Sequence, residues 1–559
     1  MRITHKYIWM FLSILLIYSC KPGDTKDKRK KEVQAEMQAQ ISSLKSAVYF
    51  KDKAIRSYLK EELETFYKNR KYKLAWMTSD KILPQSDSLI QAIMQAPTDG
   101  LETSNYELQE IQALQRELFS AEKSKQDTLS LRKLVQLDFK MTASYLTYAS
   151  HLLSGRIDPA KLDTLWITYP RKKDLAVHLD EAIKKNRIYG SLQELSPVVD
   201  QYKQLKKQLA LYRRIAKSGG WPAMKTVTTV NMGTANEPVH ALWNRLGMSG
   251  DLDTTAASMP VFDNAMKEAL KKFQQRYGIN PDGKLNAETL ARLNEPVERT
   301  IELIELNMER IRWAPDSIEN TYIWVNVPEY TLKVFSKGKK EEEMRVIVGK
   351  DYASTPVFSD TLEYIVFSPD WTVPSTIAKN EILPILQHNP DYLMSNNMAV
   401  YETWKESDTL ALDPLSTDWS QFTPETFTYR IVQKPGPENP LGQVKFMLPN
   451  DLSVYLHDTP NHTLFKREER NLSHGCVRLE KPVDLAMYLL NWNEEQVTEK
   501  INQPEPIKQK LPKKWPVQIV YRTAWVDEKG ILNFRDDIYG HDKKQLNAIT
   551  KKEDQLSKL

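Results

Sequence analysis

The residues that could carry chemistry cluster in the run Ser473-His474-Gly475-Cys476-Val477-Arg478, whose cysteine lies nineteen positions after His457. The chain has 559 residues and only two cysteines, Cys20 and Cys476. Three chemistries are open to this group. A buried thiol beside a satisfied histidine would be purely structural. His457, His462, His474 and Cys476 are all zinc-ligand types, but their spacing matches none of the usual ligand pairs and no second cysteine stands nearby, so the expected metal is none. In the third chemistry His457 takes the thiol proton and the thiolate attacks a carbonyl, a histidine-paired thiol falling well below its ordinary pKa of ~8.5. Gly475 allows a tight turn, and backbone N–H groups at Gly475 and Cys476 would receive the oxyanion, each donor worth about 2.7–4 kcal/mol. His474 would support the turn or polarise the carbonyl. Arg478 suits a substrate carboxylate, which a guanidinium grips bidentately, or an internal acid. Tyr455 and Arg470 would line the pocket. Asp458 follows His457 directly, and adjacent residues on an extended chain point apart, so it is not counted as catalytic.

The elements that must position these residues are strands. Val454-Tyr455-Leu456 reads as a strand that ends at His457, before the Asp-Thr-Pro loop. Short β-rich runs such as TYIWVNVPEYTLKVF, EMRVIVG, EYIVFS and VKFML, separated by turn residues, predict a β-rich domain over 319–500. A mixed insert at about 370–424 interrupts it and has the length of a lid. The run KKWPVQIVYRTAWVDEKGILNFRDDIYG predicts a C-terminal β-hairpin within 510–545, packing on the scaffold or catalytic domain. Upstream, three-to-four spacing of apolar residues predicts a helical scaffold over 43–220 and a three-helix module over 235–295, with Gly278 as a helix stop, Pro281-Asp282-Gly283 as a turn and Asn286 as a cap. A linking helix with an apolar stripe through Ile301, Ile304, Met308 and Ile311 occupies 296–318. The fold class is therefore multidomain α+β.

At the N-terminus, Arg2 and Lys6 precede an apolar run, Tyr7 to Tyr18, of the length of a secretory signal rather than a membrane span. It ends in Ile17-Tyr18-Ser19-Cys20, which resembles a bacterial lipobox. Residues 1–20 are read as a lipoprotein signal peptide, Cys20 as the lipidated residue and 21–42 as a polar tether. With Cys20 acylated, Cys476 has no disulfide partner in the chain, so a lone exported thiol calls for a reason. Lys+Arg 78 against Asp+Glu 73 gives a net charge of +5, too balanced and interspersed to indicate nucleic-acid binding.

The string FQQRYGINPDGKLNAETLARL resembles the peptidoglycan-binding domain appended to cell-wall enzymes. His457 together with Ser473-His474-Gly475-Cys476-Val477-Arg478 resembles the signature of L,D-transpeptidases of the YkuD type. The blocks RVIVGK, STPVFSD, IVFSPDWTVP, KPGPENPLGQVKFMLPN and VYLHDTP are similar to the large, YcbB-like branch of that family. The resemblance implies a YkuD-like catalytic domain with a capping subdomain, and no cofactor. It implies Cys476 as nucleophile, His457 as general base and then acid, and a periplasmic envelope location. The partners implied are peptidoglycan stem peptides and glycan, with the membrane reached through the N-terminal lipid. The reaction implied is attack on the third residue of a tetrapeptide stem, loss of D-alanine and capture of the thioester by a neighbouring amine to give a 3-3 cross-link. L,D-carboxypeptidase activity and a non-catalytic wall-binding lipoprotein are the rival readings.

Overall fold

A computed structural model describes residues 22–44, 49–50, 52–119, 128–167, 169–224, 230–255, 260–314, 320–405 and 407–557. The expected signal peptide and its lipidation site, Cys20, lie outside the described residues. No described helix is long and apolar enough to cross a membrane.

The scaffold is built around the Thr128–Ser154 helix. Val135, Leu137, Phe139, Met141, Tyr145, Leu146 and Tyr148 are all buried, so this helix is apolar on nearly every side and forms the axis of a bundle. Its one buried acid, Asp138, accepts hydrogen bonds from the Tyr67 hydroxyl (2.5 Å) and from the backbone N–H of Ala75 and Trp76 (3.0 Å each). Burial nevertheless pushes its carboxyl up to about 6. Within the expected tether, residues 22–42 do not form a free linker. They form the Pro22–Ser42 helix, in which Val33, Met37 and Ile41, spaced four apart, pack onto the scaffold core. The abundance of charge hides that narrow stripe.

The small module comprises the helices Glu237–Met248, Asn264–Arg276 and Ala287–Leu293. Asn236, Asp263 and Asn286 each cap a helix by accepting from the backbone N–H three residues on. The Pro281-Asp282-Gly283 turn is pinned by Gln274, whose amide donates to Asp282 and to the Lys284 carbonyl (3.0 Å each) and accepts from Gly283 N–H (2.8 Å). The Val297–Arg312 helix joins the units. Ile304, Met308 and Ile311 belong to the core shared with the small module, while the opposite side buries Glu309 between Arg156 (3.2 Å) and Arg312 (2.6 Å). Burial alone would raise the Glu309 carboxyl, but the two guanidiniums bring it down to about 2.

The β-rich domain is built on a closed sheet. β1 (Tyr322–Asn326), β2 (Thr331–Ser336), β3 (Lys339–Gly349), β4 (Phe358–Phe367), β8 (Val444–Met447), β9 (Leu456–His457), β11 (Val477–Leu479) and β12 (Ile507–Val520) run in the order β3-β11-β9-β8-β4-β12-β1-β2. A β2–β3 pairing closes the ring, and β10 (Asn471–Ser473) adds to β3 outside it. Closure leaves no long open edge inside the ring. Between β4 and β8, the short strands β5 (Trp371–Thr372), β6 (Met398–Tyr401) and β7 (Arg430–Gln433) form a separate sheet with its own core of Val373, Leu386, Val400, Trp419 and Phe427. Residues 510–520, read from sequence as part of a terminal hairpin, instead belong to the long strand Ile507–Val520 between β4 and β1. Proline and lysine in IKQKLPKKWPVQIV obscure its alternation, and its partners are non-local. The hairpin proper is β13 (Ala524–Val526) with β14 (Leu532–Phe534), and it packs into the core of the small module and the linking helix.

Candidate active site

Period-two alternation along three short strands builds the site. Val444, Phe446, Leu456, Val477 and Leu479 point into the barrel core. The residues between them, Lys445, Tyr455, His457, Cys476 and Arg478, therefore share the opposite face. β9 pairs antiparallel with β8, setting Lys445 against His457, and parallel with β11, setting His457 against Arg478 and Leu456 against Val477. Continuing that register puts Cys476 across from Tyr455, two residues out of step with His457, or about 8 Å between backbones by sheet dimensions.

The turn that presents Cys476 is held from both ends. Ser473 Oγ donates to the Cys476 carbonyl (2.6 Å) and accepts from Gly475 N–H (3.1 Å). Gly475 has φ of +113°, in the region that favours glycine. Its carbonyl accepts from Thr355 Oγ1 (2.8 Å), which itself accepts from Gly349 N–H (2.8 Å). Tyr539, from the C-terminal segment, donates its hydroxyl to the Gly349 carbonyl (2.5 Å). With Gly475 N–H engaged by Ser473, the open backbone donor at the turn is Cys476 N–H, which makes no hydrogen bond among the described residues.

The thiol is half-buried, and its proton is directed to the Ser453 carbonyl at 3.7 Å. Burial pushes it above the ordinary thiol range, opposed by hydrogen bonding to Tyr455 and by the charges of Lys445 and Arg478. His457 is buried, its ring edge-on to Tyr455 with centroids 5.6 Å apart. Nδ1 is buried without a hydrogen-bond partner, and the backbone at Asp458 and Pro440 favours the protonated ring. Burial, with Arg478 and Lys445 adding to it, lowers its pKa to about 3. The expected thiolate–imidazolium pair is thus corrected: at neutral pH the free site holds a neutral thiol and a neutral imidazole. Desolvation penalises both charged forms, an effect invisible in residue spacing.

The other expected residues divide. Arg478 is half-buried, its Nε has no hydrogen-bond partner, and it pairs with no carboxylate among the described residues. Tyr455 lines the site. His474 Nε2 donates to the Glu381 carboxylate in the insert (2.9 Å). Arg470 does not line the pocket: its guanidinium bonds the carbonyls of Val346 (3.2 Å), Arg467 (2.6 Å) and Tyr330 (3.3 Å), tying β10 to the barrel. Asp458 accepts from Gln443 N–H (2.8 Å) and lies 3.2 Å from His462 Nε2. No cluster of three or more histidine, cysteine, aspartate or glutamate residues suited to a metal occurs among the described residues. Sequence reading missed Lys445, whose only signal is a lysine in the half-buried run VKFM, and Glu381, which has no local signal.

Three family models match the chain. The model of the L,D-transpeptidase catalytic domain (YkuD) matches residues 320–519, that of a scaffold domain 61–209, and that of a "Putative peptidoglycan binding domain" 236–293. A Haemophilus influenzae protein named "Putative L,D-transpeptidase" is 35% identical over 247 residues, covering 44% of this chain and 48% of that protein. The chain thus spans about half the length of that curated relative. Among solved structures, an L,D-transpeptidase from Mycobacterium smegmatis is 14% identical over 36% of this chain and 58% of its own, with a TM-score of 0.17. One from Xylanimonas cellulosilytica is 11% identical over 53% of this chain and 99% of its own, with a TM-score of 0.16. Residues 320–519 are an L,D-transpeptidase catalytic domain of the YkuD family, carried in one chain with a scaffold domain and a peptidoglycan-binding domain.

Proposed function

We propose that the protein is a peptidoglycan L,D-transpeptidase that forms 3-3 cross-links through a thioester on Cys476. The supporting observation is the shared face of β9 and β11, which carries a buried imidazole whose Nδ1 has no hydrogen-bond partner and, one diagonal step along the ladder, a half-buried thiol. His457 Nδ1 takes the proton from Cys476 Sγ as sulfur attacks the carbonyl of the third stem residue. Charge on the carbonyl oxygen is met by Cys476 N–H, and the leaving D-alanine amine recovers the proton from His457. An amine from a neighbouring stem then attacks the thioester, giving its proton to His457, and the thiol is regenerated. Arg478 is free to hold a substrate carboxylate. The module over 236–293 supports attachment to the wall, with Cys20 as lipid anchor on the periplasmic side of the envelope.

Disaccharide-tetrapeptide incubated with the full chain and analysed by mass spectrometry tests this reading. A cross-linked dimer, lost in Cys476→Ala, supports transfer. Tripeptide alone identifies an L,D-carboxypeptidase, and no product with retained wall binding identifies a tethering protein.

A further inference from the structure

The pairing of β8, β9 and β11 sets Lys445, His457 and Arg478 side by side, one on each strand. Residues opposed across a ladder project from the same face, so the imidazole is bracketed by two cations. Neither cation pairs with a carboxylate among the described residues. Arg478 Nε is buried without a partner, and the Lys445 ammonium rests 3.9 Å from the centroid of the Tyr455 ring. Two acids of the surrounding segments have other partners: Asp458, next to His457 in the chain, accepts from Gln443 N–H and lies against His462, and Glu381 pairs with His474. Two partly desolvated charges of one sign are costly unless a ligand brings the counter-charge.

Resting on the acyl-transfer reading, we infer that Lys445 determines specificity: with Arg478 it clamps a donor peptide that carries carboxylates on both sides of the scissile amide. The two cations flank His457 from opposite strands. A donor whose leaving residue ends in a free carboxylate, and whose acylated residue carries another on its side chain, places one anion on each flank while its carbonyl meets Cys476. Lys445 and Arg478 also oppose protonation of His457. Carboxylates docked on them relieve that opposition, so binding of the matching donor prepares the imidazole to accept the thiol proton. A donor lacking either carboxylate leaves one cation uncompensated.

Tetrapeptide donors with both carboxylates free, with a C-terminal carboxamide, or with a side-chain carboxamide are titrated by calorimetry against the full chain carrying Cys476→Ala, alone or with Lys445→Met or Lys445→Arg. The diacid binds the Lys445→Met protein roughly 10- to 100-fold more weakly. One of the two amides binds with and without Lys445→Met equally, and Lys445→Arg retains the discrimination. Equal affinity of the diacid and both amides for the protein with Lys445 intact overturns the inference, whatever the variants do. A uniform loss across all three donors in Lys445→Met also overturns it, marking Lys445 as merely structural. Discrimination in binding by a protein whose Cys476-containing form converts no donor would sink the transfer reading and leave the clamp standing.

Discussion

His474 Nε2 lies 2.9 Å from Glu381 Oε1, joining the turn that presents Cys476 to the insert between residues 93 positions apart. Glu381 sits in Ala378–Ile382, a π-helical turn within the insert's helical run. Such turns are rare in regular helices and recur at functional sites. The two side chains are 37% and 54% exposed, so the contact has the strength of a surface pair, at most ~1 kcal/mol. It holds the position of the insert rather than the stability of the domain.

Glu381→Ala is therefore expected to leave the melting temperature within ~4 °C of wild type. Amide exchange over Ser375–Leu386 should accelerate, and KM for the tetrapeptide donor should change several-fold with less effect on kcat. Hydrogen-exchange mass spectrometry reads the first effect and steady-state kinetics the second. Unchanged exchange would show that the pair does not restrain the insert.

The raised pKa of Cys476 predicts a slow free thiol. Iodoacetamide labelling of the resting protein should remain well below that of an exposed cysteine at pH 7 and rise only as pH passes the ordinary thiol range of ~8.5. Lys445→Met should slow labelling further, because it removes a cation that favours the thiolate. Rapid labelling at pH 7 would contradict a neutral resting pair.

His457 should link stability to pH. The unfolded chain binds a proton here near pH 6.5, whereas the folded imidazole holds off until about 3. Its contribution is therefore fully present above pH 6.5 and is lost on acidification at up to about 1.4 kcal/mol per pH unit, until the folded pKa is reached. His541, lowered to about 4 chiefly by burial, acts in the same direction. Comparing His457→Gln with wild type isolates the first residue: the variant's melting temperature should fall less between pH 6.5 and 4.5. Parallel curves would mean that the imidazole is protonated in the folded protein.

Much was already determined by the order of residues. Hydrophobic period set the helical and β-rich regions, and Asn286, Gly278 and Pro281-Asp282-Gly283 set the end and start of two helices, because caps and turns are local interactions. The alternation in Val444–Met447 and Tyr455–His457 fixed which side chains share a face, since a strand has no other way to place them. Only the tertiary structure decided which faces meet. The pairing of β9 with both β8 and β11 brackets His457 with Lys445 and Arg478, and burial leaves thiol and imidazole neutral. Glu381 and His474, and Gly349 and Tyr539, are joined by contacts with no local signal. Charge state and strand register depend on surroundings brought together from distant parts of the chain, and no short stretch of sequence contains them.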